Sequence, residues 1–124
     1  PIKVCDELVS YYNEFNKHAT PGKSGGGKIR KNIKDSLDLS INSKNFDKEI
    51  LIYRVELQKI LELYLKRYPE INDCSKFNVK EFNIQKYNKK GGFKKWHFER
   101  RCLEHKGQIT DKEKIIATGW FELI

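Results

Sequence analysis

What the chain lacks narrows its identity first. No apolar run approaches the roughly 20 residues that a bilayer-spanning helix needs. The opening segment Pro1-Ile2-Lys3-Val4-Cys5-Asp6 carries no apolar block of the signal-peptide kind. A cytoplasmic protein that stays out of the membrane is therefore the expectation. Cysteine is scarce, and its three copies, Cys5, Cys74 and Cys102, are odd in number and far apart. That spacing does not suggest a disulfide framework. With no Cys-x-x-Cys pair a zinc site lacks its ligands, so free thiols are expected. Internal repeats and long low-complexity tracts are also missing. At 124 residues there is room for one domain and no second core.

Positive charge and aromatic residues are what the chain does have. Lys and Arg number 25 against 17 Asp and Glu, a net charge of +8. The lysines are spread along the chain rather than gathered on one predicted helix face, which reads first as solvation. Their densest stretch, Lys86, Lys89, Lys90, Lys94 and Lys95, is interleaved with Phe82, Tyr87, Phe93 and Trp96. A small basic module that stacks nucleic-acid bases on sheet aromatics is thus an alternative, with salt-sensitive binding as its mark. Seven Phe, six Tyr and two Trp supply the apolar bulk that disordered chains of similar charge lack.

Periodicity places the elements. Val4, Leu8, Tyr11, Tyr12 and Phe15 predict an amphipathic helix over 3–17, stopped by Pro21 and Gly22. The run Gly22-Lys23-Ser24-Gly25-Gly26-Gly27-Lys28 invites a phosphate-loop reading, which fails. A helix rather than a strand precedes it, and Ile29 stands where Ser or Thr should follow the lysine. A flexible loop is expected instead, and 29–46 is poor in helical periodicity. Ile50, Tyr53, Leu57, Ile60, Leu61, Tyr64 and Tyr68 predict a long helix over 47–68, with Asp47 as N-cap and Pro69 as its end. Beyond residue 77 the texture predicts strands at about 79–87, 92–99, 103–109 and 113–122, with a turn at Asn88-Lys89-Lys90-Gly91. Ile115 to Phe121 is apolar on both faces, as a central covered strand is. The fold class expected is α+β: a helical part, 1–72, packed on an antiparallel sheet formed by 73–124.

The stretch richest in chemistry runs from Tyr87 to His105. His97 and Glu99 are two apart on a predicted strand, so both point to one face. A further imidazole from a neighbouring strand completes two histidines and one carboxylate, an arrangement with open positions that suits non-haem iron(II). By itself His-x-Glu is a weak signal. Residues 82–99, Phe-Asn-Ile-Gln-Lys-Tyr-Asn-Lys-Lys-Gly-Gly-Phe-Lys-Lys-Trp-His-Phe-Glu, resemble the start of the catalytic barrel in Fe(II)- and 2-oxoglutarate-dependent oxygenases of the prolyl 4-hydroxylase type. That family carries a tyrosine, a glycine turn and then His-x-acid on the next strand. His105-Lys106-Gly107, Lys114 and Thr118-Gly119-Trp120-Phe121 resemble its distal histidine, its cosubstrate-binding basic residue and its last strand. Lys34-Asp35-Ser36-Leu37-Asp38-Leu39-Ser40-Ile41 and the long helix resemble the amino-terminal part of a microbial branch.

The resemblance covers nearly the whole chain. It implies a partial double-stranded β-helix, or jelly roll, with His97, Glu99 and His105 on iron. Lys114 would pair with the distal carboxylate of 2-oxoglutarate, and Tyr87 would hydrogen-bond the cosubstrate. The implied cofactors are Fe(II) and 2-oxoglutarate, with ascorbate left open. The implied reaction is hydroxylation of a C–H bond, with a prolyl peptide as the first substrate class and a free amino acid or small molecule open. Each residue also has a plainer reading: Lys114 as a solvated lysine, Tyr87 as a core tyrosine, His105 as a surface histidine.

Two features depart from the family pattern. Glu99 stands where Asp is commoner, and only eight positions separate His97 from His105 where the family has some tens. The third to sixth of the family's eight strands are therefore missing. In that fold the first and eighth strands are antiparallel neighbours, as are the second and seventh. A hairpin at Arg100-Arg101-Cys102 would rejoin the cut ends, setting His97 opposite His105 and Glu99 opposite Leu103. A half-barrel exposes apolar positions, so a homodimer of two half-barrels covering one another is expected. An inactive remnant is the remaining alternative.

Overall fold

The computed structural model describes residues 2–71, 77–79, 81–95, 111–119 and 122–123. Helix α1, Ile2–Phe15, runs into a 3-10 turn at Asn16–His18. Leu8, Tyr11 and Tyr12 recur at three- and four-residue spacing and are its buried face. Three short strands follow, β1 (Thr20–Pro21), β2 (Lys23–Ser24) and β3 (Lys28–Ile29). The glycine run is thus not an open loop: β2 and β3 pair antiparallel, Lys23 with Ile29 and Ser24 with Lys28. Gly26 and Gly27 close the turn at φ 74° and 70°, backbone that glycine adopts without a Cβ clash.

Strands β4 (Lys34–Asp35) and β5 (Leu37–Ile41) come next, in the stretch that is poor in helical periodicity. Helix α2, Lys48–Arg67, follows. Asp47 sits at its N-cap but makes no side-chain capping bond. Its carboxylate instead accepts the Tyr11 hydroxyl at 2.6 Å, tying α2 to α1. The Arg54 guanidinium donates to the carbonyls of Asn42 at 2.8 Å and Asn45 at 2.9 Å, which fixes the entry to the helix. The helix ends before Pro69, whose ring disfavours helical backbone in the residue preceding it.

The remaining strands are β6 (Phe77–Asn78), β7 (Phe82–Tyr87), β8 (Gly92–Phe93), β9 (Lys114–Gly119) and β10 (Glu122–Leu123). Four strands form an antiparallel sheet in the order β1-β5-β7-β9, and three two-stranded pairs surround it: β2 with β3, β4 with β8, β6 with β10. The architecture is α+β. Among the described residues the strands do not close into a barrel. The part before residue 72 contributes strands β1 and β5 to the sheet as well as both helices.

Register assigns the two faces. Leu39, Ile84 and Ala117 oppose one another across three strands, as do Ile41, Phe82 and Gly119. This face packs on Leu8, Tyr11 and Tyr12 of α1 and Ile50 of α2 to form the core. Complete burial of Ile50 and Ile84 is worth about 1.5–3 kcal/mol each. Gly119 must be small, because a Cβ there would lie 2.7 Å from that of Phe82.

Two expectations about strands are corrected. None of the described β9 residues is buried, and among the described residues β9 is the outermost strand rather than a covered central one. Of the strand expected over 92–99, Gly92 and Phe93 are strand and pair with β4, Gly92 opposite Asp35 and Phe93 opposite Lys34; Lys94 and Lys95 are not strand, and 96–99 lie outside the described residues. The strand expected at 103–109 lies outside the described residues. The turn at Asn88–Gly91 is present, closed by a Gly91 N–H bond to the Asn88 carbonyl at 2.8 Å. It holds Lys90 at φ 65°, a left-handed backbone that a lysine rarely adopts.

Candidate functional site

Strand alternation sends every second residue away from the core. On that second face stand Asp38 of β5, Gln85 and Tyr87 of β7, and Lys114, Ile116 and Thr118 of β9. Asp38 opposes Gln85, and Tyr87 opposes Lys114. Polar residues on a second face normally meet water, but those around Asp38 do not, whereas on β9 Lys114 and Thr118 are half-buried and Ile116 is exposed. Asp38 is 8% exposed, Lys34 7% and Tyr87 4%, and Ser36 and Gln85 are buried with them.

A buried carboxylate is costly unless paired and hydrogen-bonded. Asp38 has three donors. Lys34 Nζ lies 2.6 Å and Gln85 Nε2 3.1 Å from Oδ2, and Ser36 Oγ donates to Oδ1 at 2.6 Å. The strand rhythm of Lys34, Ser36 and Asp38 puts all three side chains on one face. Gly22 lets the chain close over them: a Cβ there would fall 2.1 Å from Ser36 Oγ and 2.9 Å from Lys34 Cε. Its N–H also donates to the Ser36 carbonyl at 2.9 Å.

The network continues toward β9. Because Gln85 gives its amide N–H to Asp38, its Oε1 is left facing Tyr87 and accepts the phenol proton at 3.0 Å. Burial pushes the Tyr87 hydroxyl up to about 12, the Asp38 charge adds to the rise, and a hydrogen bond with Ser36 acts the other way. The phenol is therefore neutral throughout the physiological range. Tyr12 is raised too, by burial first and then by the charges of Asp38 and Glu113. Across the strand, Lys114 Nζ stands 5.2 Å from the Tyr87 ring centroid, within cation–π reach. Beside it, Lys86 bonds Glu113 at 3.1 Å.

Of the residues singled out in the sequence, Tyr87 and Lys114 are brought together as directly opposed neighbours. His97, Glu99 and His105 lie outside the described residues, as do Cys74 and Cys102. Cys5 is an exposed free thiol. Among the described residues no three His, Cys, Asp or Glu side chains are grouped to hold a metal. Also among them, no helix is long and apolar enough to cross a membrane.

Sequence reasoning missed Lys34, Ser36, Asp38 and Gln85. The Lys-x-Ser-x-Asp alternation was the available signal. Chemically, the arrangement offers a fixed buried anion, a neutral phenol and a cation held at its ring face. The phenol proton is engaged by Gln85, and the Lys114 ammonium stands at the face of the same ring.

Compared with protein-family models, with curated proteins and with solved structures, the chain matches none.

Proposed function

We propose that this chain is an Fe(II)- and 2-oxoglutarate-dependent oxygenase of the prolyl 4-hydroxylase type, carrying a partial double-stranded β-helix. The observation that carries the reading is the antiparallel pairing of β7 with β9, which sets Tyr87 opposite Lys114. The first and eighth strands pair in this way in the fold that the sequence resembles, and those two strands bring the corresponding tyrosine and basic residue to one site.

The donor set fits the organic cosubstrate. An ammonium on the polar face suits a carboxylate, since charge-assisted bonds of this kind are among the stronger ones available to a side chain. In this reading Lys114 takes the distal carboxylate of 2-oxoglutarate. Tyr87 acts chiefly through its ring, which orients the lysine, because its proton is already donated to Gln85. Asp38 and Gln85 hold the tyrosine in place. His97, Glu99 and His105 are the residues that would hold iron. When bound, iron and 2-oxoglutarate supply the oxygen activation that C–H hydroxylation requires, and a prolyl peptide is the first substrate to offer.

The test is anaerobic titration with Fe(II) and 2-oxoglutarate, watched for the weak visible band of a chelated cosubstrate. The band is expected in the unaltered chain, absent in His97→Ala, and shifted to at least about tenfold higher 2-oxoglutarate in Lys114→Ala. No band, together with a melting temperature indifferent to iron, would overturn the proposal.

A further inference from the structure

Helix α2 buries Ile50 and Leu61 against the rest of the molecule, yet its opposite side is not polar. Phe46 is 69% and Val55 54% exposed, and Leu51 is exposed beside them. With Lys48, Ile52 and Glu56 they line an open depression of about 430 Å³. At 100° per residue, Lys48, Ile52 and Glu56 form one ridge along the helix, and Leu51 and Val55 form the next.

We propose that this face is a contact between two copies of the chain, with the two α2 helices antiparallel about a two-fold axis close to Ile52. The charges select this occupant. Lys48 and Glu56 stand four residues on either side of Ile52, about 6 Å each way along the helix. A two-fold axis there brings Lys48 of one copy level with Glu56 of the other, and does so twice. Ile52 then meets Ile52, flanked by Leu51 and Val55, with Phe46 closing each end. A self-complementary patch is what a two-fold contact demands, and opposite charges equidistant from an apolar centre provide one. A partner of single charge would satisfy one end and clash at the other.

Within the chain Glu56 already bonds Lys59 at 2.6 Å. That pair is three residues apart on an exposed helix surface, where such bonds contribute little, so Glu56 can accept a second cation at small cost. The net charge of +8 opposes self-association and the patch is small. The dimer is therefore expected at tens of micromolar rather than nanomolar concentration. The contact lies on the side of α2 away from the sheet, so it stands or falls independently of the proposed chemistry.

Sedimentation velocity over about 5–200 µM protein tests it, a range that brackets a weak contact. The unaltered chain is expected to shift from monomer toward dimer across that range. Lys48→Glu and Glu56→Lys should each weaken the dimer at least about tenfold, by setting like charges opposite one another. The double exchange K48E/E56K should restore it to within about threefold, which also shows that neither single variant failed merely by misfolding. A chain that is monomeric throughout overturns the proposal. So does a dimer indifferent to both single substitutions, or a double exchange that does not recover.

Discussion

Replacing Asp38 by Asn tests the polar face most directly. The carboxylate is almost fully buried and takes three hydrogen bonds, from Lys34, Ser36 and Gln85. The substitution keeps the shape but removes the charge, so the Lys34 ammonium is left in a dry site against a neutral amide. Breaking a buried ion pair on one side costs about 3–5 kcal/mol. The Asn carbonyl oxygen, set in place of Oδ2, can still accept from both Lys34 and Gln85, which puts the expected loss near the lower end, about 3 kcal/mol. A domain of this size has a total of about 5–15 kcal/mol, so the variant should fold but with a clearly lowered denaturant midpoint. The companion Lys34→Met leaves the carboxylate with its two neutral donors and should lose a similar amount. The double variant removes the stranded charge and should recover to within about 1 kcal/mol of the original, since apolar replacements of buried pairs are often near neutral. Urea unfolding followed by circular dichroism, with the slope checked for constancy, gives all three values. A loss below about 1 kcal/mol in Asp38→Asn would refute the reasoning, as would single losses that simply add in the double variant. In either case the carboxylate would be reached by water.

Tyr87 gives the pH dependence. Its folded value, pushed up to about 12, lies above the ordinary 10 of the unfolded chain, so its contribution is complete below pH 10 and is lost as pH rises toward 12. A rise from 10 to about 12 corresponds to about 2–3 kcal/mol. Tyr11, Tyr12 and Tyr53 are raised as well and act in the same direction. Unfolding titrations should therefore show steep loss of stability only above pH 10, and a flat profile from about pH 9 to 11.5 would contradict the buried placement. Lys90 sits at φ 65°, where a side chain costs about 1 kcal/mol. Lys90→Gly should therefore raise the melting temperature by a few degrees in a thermal scan, and a drop would mean that the turn is not strained.

The helices were legible because their apolar spacing is local. Leu8, Tyr11 and Tyr12 mark the buried face of α1 without reference to anything else in the chain, and Pro69 marks the end of α2. The turn at Asn88–Gly91 was equally plain. Strand β5 was not, although Leu37, Leu39 and Ile41 alternate. Asp38 and Ser40 between them resemble solvent-facing positions, and the buried partner of Asp38 is Gln85, 47 residues away. Nothing near either residue announces that pairing. The outer position of β9 was missed for a related reason: Ile115 to Phe121 is apolar on both sides, and apolarity does not say whether a neighbouring strand lies beyond. The opposition of Tyr87 and Lys114 had no local signal, since a lysine at a strand start has no signature of its own.

The insertion of α2 between two neighbouring strands has a consequence for how the chain is made. Strand β5 leaves the ribosome before β7, which follows only after Asn42 to Glu81 have been synthesised. At about 5–20 residues per second the wait between Asp38 and Gln85 is roughly 2–10 s. For that interval one edge of β5 stands without its neighbour, a condition that invites pairing with other chains. The Lys34, Ser36 and Asp38 cluster spans only five positions and needs no later residue to form. Its charges can occupy the waiting face of β5 while α1 and α2 settle against Leu39 and Ile41 on the other. The carboxylate that ends up inside the molecule can thus be paired before its strand neighbour exists.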